Sequence, residues 1–372
     1  MGRKFGKKNV IKVNPVEYNL GLIGESGIGK TTLAKETCEK LVGEEGYMIL
    51  NIGKEDGIDA IPNAIYENVP DWTTFDELTD DIIENRNTDY KDLKVLVYDT
   101  FDELVKITEP EVIRLHNKEY PDKRTKSIKA AFGGFMAGED KAIEIILEKM
   151  WALKAVGISM FILGHTKKRT MTDVVTGLEY DMLTTNMSHR YFNAIKTKLH
   201  VLGVASVNRD IEKTVVKQKV GADKVVGNIV SESRIITFRD DNFNIDSKSR
   251  FSDITPSIAL DTDSFIGAIE DAIKAAFKQQ KENSGSLEEA KKQQEQQKEE
   301  QIDKAVEENK KTKVNVSENE KLAEEIKSKF TTAENEVKVK IKSVMEEYNI
   351  TSLKETSETP TEALRKIADL LK

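Results

Sequence analysis

The segment Gly24-Glu25-Ser26-Gly27-Ile28-Gly29-Lys30-Thr31 lies between an apolar run, Tyr18–Ile23, and a helical pattern, Thr31–Leu41. It satisfies G-x-x-x-x-G-K-[ST] in the strand-then-helix context that the pattern requires. Few features constrain a fold so tightly, because the glycines must allow positive φ and close backbone approach while a helix starts directly behind them. Consecutive N–H groups then point inward and the helix N-terminus adds partial positive charge, which makes the segment a cradle for phosphate. The predicted nucleotide contacts are Gly24, Glu25, Ser26, Gly27, Ile28, Gly29, Lys30, Thr31 and Thr32. Lys30 is placed to set its ammonium between β- and γ-phosphates, and the Thr31 hydroxyl to complete the coordination of Mg²⁺ among waters and phosphate oxygens.

A second apolar run, Lys94-Val95-Leu96-Val97-Tyr98, ends in Asp99, 69 positions after Lys30. A carboxylate there is expected to hold Mg²⁺ through water. Asp102 and Glu103 follow closely and are the alternatives, although they lie beyond the apolar run. Hydrolysis also needs a group that orients or deprotonates water in line with the γ-phosphate. Asn51-Ile52-Gly53-Lys54-Glu55-Asp56 puts carboxylates at the end of another strand, where ligands sit in open α/β sheets, with Glu55 the first choice and Asp56 the second. A further strand ends Leu163-Gly164-His165, so His165 is placed either to sense the γ-phosphate or as a structural histidine.

Short apolar runs alternate with helical patterns from Tyr18 to Phe277: Tyr18–Ile23, Met48–Ile52, Lys94–Tyr98, Ile158–Leu163, His200–Ser206 and Arg234–Phe238 read as strands. Their Val, Ile and Leu density suits strands buried on both faces, hence an α/β fold with a mostly parallel sheet. The reading divides the chain into a basic N-terminal extension (1–17), a nucleotide-binding core (18–278), a charged linker or solvated helix (279–316) and a small helical C-terminal unit (317–372), opened by the capping box Ser317/Glu320. A bundle that small is marginal alone, so a protein partner for the C-terminal helices is expected. The net charge of −8 excludes a diffuse basic field, so any nucleic-acid contact must be a local patch. One cysteine, Cys38, implies a reducing, cytoplasmic setting, and no apolar window is long enough to span a bilayer, so no membrane partner is expected.

Taken together, these motifs resemble those of RecA-like P-loop ATPases, and most closely the phage-encoded RecA-related proteins of single-strand annealing and recombination. The resemblance covers roughly Val13 to Phe277. It implies a RecA-like P-loop NTPase core using ATP and Mg²⁺, with Lys30, Glu55, Asp99 and His165 as catalytic residues: Glu55 as the catalytic glutamate, Asp99 as the Walker B acid and His165 as the γ-phosphate sensor. Lys248-Ser249-Arg250-Phe251 is similar to the basic segment that, in RecA-type assemblies, reaches a neighbour's ATP, making Lys248 and Arg250 candidates to act in trans and implying a homo-oligomeric ring or filament. RecA's glycine-rich second DNA loop and N-terminal oligomerisation helix have no counterpart, so full strand exchange is not implied.

A candidate face for single-stranded DNA runs through Lys123, Arg124, Lys126, Lys129, Phe132 and Phe135, where cations interleave with rings near a Gly-Gly hinge. Lys167, Lys168 and Arg169 follow a strand end and are expected to join it, with Tyr180, Arg190 and Tyr191 as weaker additions; the competing reading is a solvated loop whose aromatics pack inward. His116, His189 and His200 have no metal-ligand spacing. The function expected is ATP hydrolysis coupled to assembly on single-stranded DNA in recombination or replication, within a host cytoplasm if the chain is phage-encoded. The alternatives are a nucleotide-gated loader or adaptor acting through its helical tail, and a P-loop kinase, for which the chain has no Arg-rich lid segment.

Overall fold

A computed structural model describes residues 9–54, 57–172, 175–216, 224–239, 246–280, 286–330, 333, 335–348, 350 and 359–371. The carboxylates Glu55 and Asp56 lie outside the described residues. The chain forms two compact units, 1–301 and 302–372.

In the first unit, strand β1 (Leu20–Gly24) is fully buried, as its apolar sequence demands, and lies between β5 (Ser159–Thr172) and β7 (Val201–Val216), both parallel to it. Beyond β5 come β4 (Val95–Asp99), β2 (Tyr47–Ile52) and β3 (Tyr66–Val69), all parallel. Beyond β7 the sheet turns antiparallel through β8 (Lys224–Thr237) and β10 (Ser257–Ala259), and the short β9 (Lys248–Ser249) pairs with the start of β7. The strand ending in Asp99 is thus separated from the cradle strand by one strand, β5. The sheet is mixed and mostly parallel, as the apolar runs predict.

Helix α1 (Lys30–Val42) and α6 (Thr262–Gln279) cover one face. Leu33, Ala34, Phe265 and Ile269 pack there against Leu20, Leu22, Val97 and Phe161, with the Phe161 and Phe265 rings stacked at 5.8 Å. Helices α2 (Trp72–Glu84), α3 (Phe101–Glu119), α4 (Ala137–Ala155) and α5 (His189–Lys196) form the other layer.

Two strands run far past their apolar halves. β5 leaves the sheet after His165 and pairs antiparallel with β6 (Glu179–Thr185), from Thr166↔Thr185 to Thr172↔Glu179. β7 and β8 continue as a ribbon as far as Val216↔Lys224. The sequence reading stops these strands at the end of the apolar run, because polar cross-strand pairs such as Arg209–Glu232 interrupt it there.

The charged stretch forms the first part of α7 (Leu287–Phe330), a single 44-residue helix. Its Lys, Glu and Gln are good helix formers, and Ser286 with Glu289 makes a capping box in which Glu289 N–H donates to Ser286 Oγ and Ser286 N–H to Glu289 Oε2. The helix predicted to begin at Ser317 is instead the continuation of α7. In the second unit, α8 (Asn335–Glu347) and α9 (Thr361–Leu370) close with the end of α7 on Ile326, Ile341, Leu364 and Ile367. No described helix is long and apolar enough to cross a membrane.

Candidate functional site: a phosphate cradle at the carboxyl edge of the sheet

β1 delivers the chain to the carboxyl edge at Gly24, where a Cβ would stand 2.9 Å from the Ala205 Cβ. Gly27 (φ 75°) and Gly29 (φ 111°) then take the left-handed backbone that side chains disfavour. Gly29 is the N-cap of α1 and no side chain caps the helix, so its first N–H groups face the loop itself. Lys30 is buried, and its Nζ donates to the carbonyls of Gly24 at 3.2 Å and Glu25 at 3.0 Å. A cation is therefore held inside the loop where phosphate charge would enter.

The Thr31 hydroxyl donates to Asp99 Oδ2 at 2.6 Å, joining the two motifs that lie 68 residues apart. Asp99 is 8% exposed. A hydroxyl and a carboxylate oxygen converging beside a phosphate cradle are the hard oxygen donors that Mg²⁺ prefers, the remaining positions falling to water and phosphate. The residues present therefore fit the ion, and Thr31 and Asp99 are the ones that would hold it. Of the two alternatives to Asp99, Asp102 is engaged by His165 and Glu103 pairs with Lys106.

His165 is the register partner of Gly24 on the neighbouring strand, one strand spacing from the cradle. Its main-chain N–H donates to Asp102 Oδ1 at 3.3 Å, and its Nδ1 lies 2.8 Å from Asp102 Oδ2. Burial raises the Asp102 carboxyl, but the hydrogen bond and charge of His165 outweigh it and hold the group below the usual carboxylate range. An ionised Asp102 orients the ring and fixes its proton on Nδ1, leaving Nε2 as the other face of the imidazole. Arg234 of β8 donates through Nη1 to the Ile28 carbonyl at 3.2 Å, a second cation on the loop. The sequence reading missed it, because a lone arginine opening an apolar strand has no spacing signal.

Lys248 and Arg250 lie at the opposite, amino edge of the sheet, beside the start of β7. Lys248 Nζ donates to the Lys196 carbonyl at 2.6 Å, and Arg250 to the carbonyls of Thr197 at 2.6 Å and Leu199 at 3.3 Å. Within one chain they are remote from the cradle.

Between α3 and α4, Lys123, Arg124, Lys126 and Lys129 are all exposed. Two residues at the end of α3 clamp this loop. The Phe132 N–H donates to His116 Nδ1 at 3.0 Å, so His116 Nε2 carries the proton and donates to the Lys123 carbonyl at 2.9 Å. Asn117 exchanges two hydrogen bonds with the main chain of Thr125. The Phe132 ring packs edge-on against His116 and Tyr120, with centroids 5.3 and 6.2 Å away, whereas Phe135 is 101% exposed. Phe132, Phe135 and Met136 all have positive φ, as do Gly133 and Gly134 between them. Phe132 is thus half-buried as part of the clamp, whereas Phe135 is fully presented.

Lys167, Lys168 and Arg169 are exposed on the β5 arm but do not share one face. Strand alternation turns Lys167 towards the Asn186 carbonyl and Arg169 towards His189, while Lys168 pairs with Asp181 at 2.5 Å on the other side. Of the weaker additions, Arg190 is paired with Asp140 and Tyr191 is buried, while the Tyr180 side chain lies outside the described residues. Among the described residues no cluster of three or more His, Cys, Asp and Glu side chains could hold a metal ion.

Solved structures similar to this chain include a KaiC-like protein from the hyperthermophilic archaeon Pyrococcus horikoshii, 12% identical with a TM-score of 0.32 over 62% of this chain and 87% of that one. Another is the flagellar accessory protein FlaH from Methanocaldococcus jannaschii, 9% identical with a TM-score of 0.27 over 59% of this chain and 84% of that one. No curated protein matches. The sequence profile of the AAA domain family matches residues 17–251, well over half of the chain and all of the cradle described above. With that match and the geometry of Lys30, Thr31 and Asp99, the chain belongs to the AAA domain family and carries a P-loop ATPase core of RecA-like fold.

Proposed function

We propose that this protein binds ATP with Mg²⁺, hydrolyses it, and couples nucleotide state to assembly on single-stranded DNA in recombination or replication, as the phage proteins that it resembles do. The observation that carries the proposal is the 2.6 Å contact between Thr31 and Asp99 beside a buried Lys30, which brings cation, metal ligands and loop N–H groups to one point. Phosphoryl transfer to water asks the protein mainly for positioning and charge neutralisation. Lys30 neutralises phosphate oxygens, Thr31 and Asp99 hold the metal, and His165, oriented by Asp102, donates or accepts a hydrogen bond according to the γ-phosphate. Glu55 is the water-activating carboxylate in this reading, Lys248 and Arg250 reach a neighbouring copy, and Lys123 to Phe135 with the β5 arm engage DNA.

The test is ATP turnover with and without single-stranded DNA, alongside the mass of the assembly in each nucleotide state. Stimulation by DNA together with ATP-dependent growth in mass supports the proposal. Turnover indifferent to DNA, with no DNA binding at low salt, rejects the recombination reading in favour of a nucleotide-gated adaptor that works through residues 302–372.

A further inference from the structure

At the amino edge of the sheet, across the molecule from the cradle, a cleft of about 620 Å³ is lined by Lys12, Lys154, His200, Arg250, Tyr18 and Ser252, among others. Its basic groups come from four separate parts of the chain: the segment before β1, the last turn of α4, the residue before β7 and the residue after β9. Glu17 is the one carboxylate among the described lining residues, and it is already bonded to both Lys12 and Lys298. Lys154 rests on the neutral Asn19 Oδ1 rather than on a carboxylate. Burial first, then Lys12, with Lys298 adding to them and Glu17 acting against them, pulls the Lys154 ammonium down to about 8. His200 accepts the Asn19 N–H through Nδ1 at 3.0 Å, so its neutral ring carries its proton on Nε2. Burial first, then Lys154, Arg250, Lys12 and Lys248, hold this ring to about 4.

Two features point to a ligand. Like charges gathered in a partly dry cleft raise the free energy of the fold, and a core of this size gains nothing by keeping a lysine there. The donor set, two ammonium groups, a guanidinium with N–H groups beyond those given to Thr197 and Leu199, and an imidazole N–H, also matches the several oxygens of a phosphate group. We propose that this cleft binds a phosphate-bearing anion, as a second anion site separate from the P-loop. The anion is either a free ion or the phosphate of a nucleotide carried by a neighbouring copy.

Pyrophosphate titrated calorimetrically into the full chain without Mg²⁺ tests this. The native chain should bind two per chain, and Lys30→Ala and Lys154→Met one each. In the Lys30→Ala background, Arg250→Gln should weaken the remaining site about tenfold, the effect of losing a charge-assisted donor, while Lys154→Arg should keep it. Lys154→Met should melt no lower than the native chain, so that loss of binding is not loss of fold. Turnover separates the two sources. If Lys154→Met slows ATP hydrolysis only at concentrations where copies assemble, the phosphate is the neighbour's; if turnover is unchanged while pyrophosphate binding is lost, it is a free ion. A native stoichiometry of one that vanishes in Lys30→Ala, or binding untouched by Lys154→Met, overturns the proposal.

Discussion

At the residue scale, function and stability pull on different groups. Lys30 donates within the loop to the carbonyls of Gly24 and Glu25, so Lys30→Ala should cost turnover far more than stability: turnover should fall by about 10²–10³, the usual loss for one phosphate-facing donor, with a melting temperature close to native; native turnover in this variant would remove the P-loop from the mechanism. Asp102 acts through His165, so Asp102→Asn should slow turnover about tenfold or more while ATP affinity, read by equilibrium titration, stays within error. His200 sets an acid limit. Its folded value of about 4 lies below the ordinary 6.5, so the unfolded chain takes up the proton first, and the stability this residue contributes is present above pH 6.5 and lost as pH falls towards 4. Urea unfolding at pH 7 and pH 4.5 should show a loss on the order of 2 kcal/mol from this group, and His200→Asn, whose Oδ1 can still accept the Asn19 N–H, should flatten that part of the profile.

At the element scale, the clamped loop between α3 and α4 separates two phenylalanines that the sequence presents alike. Phe132 packs on His116 and Tyr120, so Phe132→Ala should lower stability, whereas Phe135→Ala should leave it unchanged and weaken single-strand binding by about 1–3 kcal/mol, the range for one lost stacking ring. Charge reversal at Lys126 and Lys129 should instead reduce the salt dependence, by about 0.7 log units per log of salt for each phosphate contact removed. Fluorescence anisotropy with a labelled oligonucleotide over a salt series reads both effects. Equal losses from Phe132→Ala and Phe135→Ala at unchanged stability would mean that the clamp opens on DNA.

At the scale of the molecule, α7 belongs to both compact units. Its first part holds the segment before β1: Gln294 accepts from the Val13 N–H at 2.9 Å and donates to the Ile11 carbonyl at 2.9 Å, and Lys298 pairs with Glu17. Residues 302–372 have their own apolar centre at Ile326, Ile341 and Leu364. A chain ending at Gln301 should therefore keep its melting temperature and nucleotide affinity, and one ending at Gln280 should melt several degrees lower, about 4 °C for each kcal/mol lost in a domain of ordinary size. Scanning calorimetry distinguishes them; equal melting would show that the Gln294 and Lys298 contacts contribute nothing.

The cradle could be read from residues alone because its chemistry is local: eight consecutive positions supply glycines, cation and hydroxyl, and no other part of the chain need be known. The strand ending in Asp99 was readable for a similar reason, since a strand buried on both faces must be apolar throughout. Helical periodicity likewise announced the C-terminal unit, although not that α7 runs through Ser317, because a cap is only an option when polar helix formers precede it. The β5 and β7–β8 arms were not legible, since charged residues such as Lys167, Lys168, Arg209 and Glu232 interrupt the apolar runs where the arms begin. Tertiary structure alone decided which carboxylate meets Thr31, that His165 leans on Asp102, that Arg234 reaches Ile28, and that Lys12, Lys154, His200 and Arg250 converge. Each of these joins residues distant in sequence, and their meeting depends on strand order and register, which a single chain's composition and spacing do not encode.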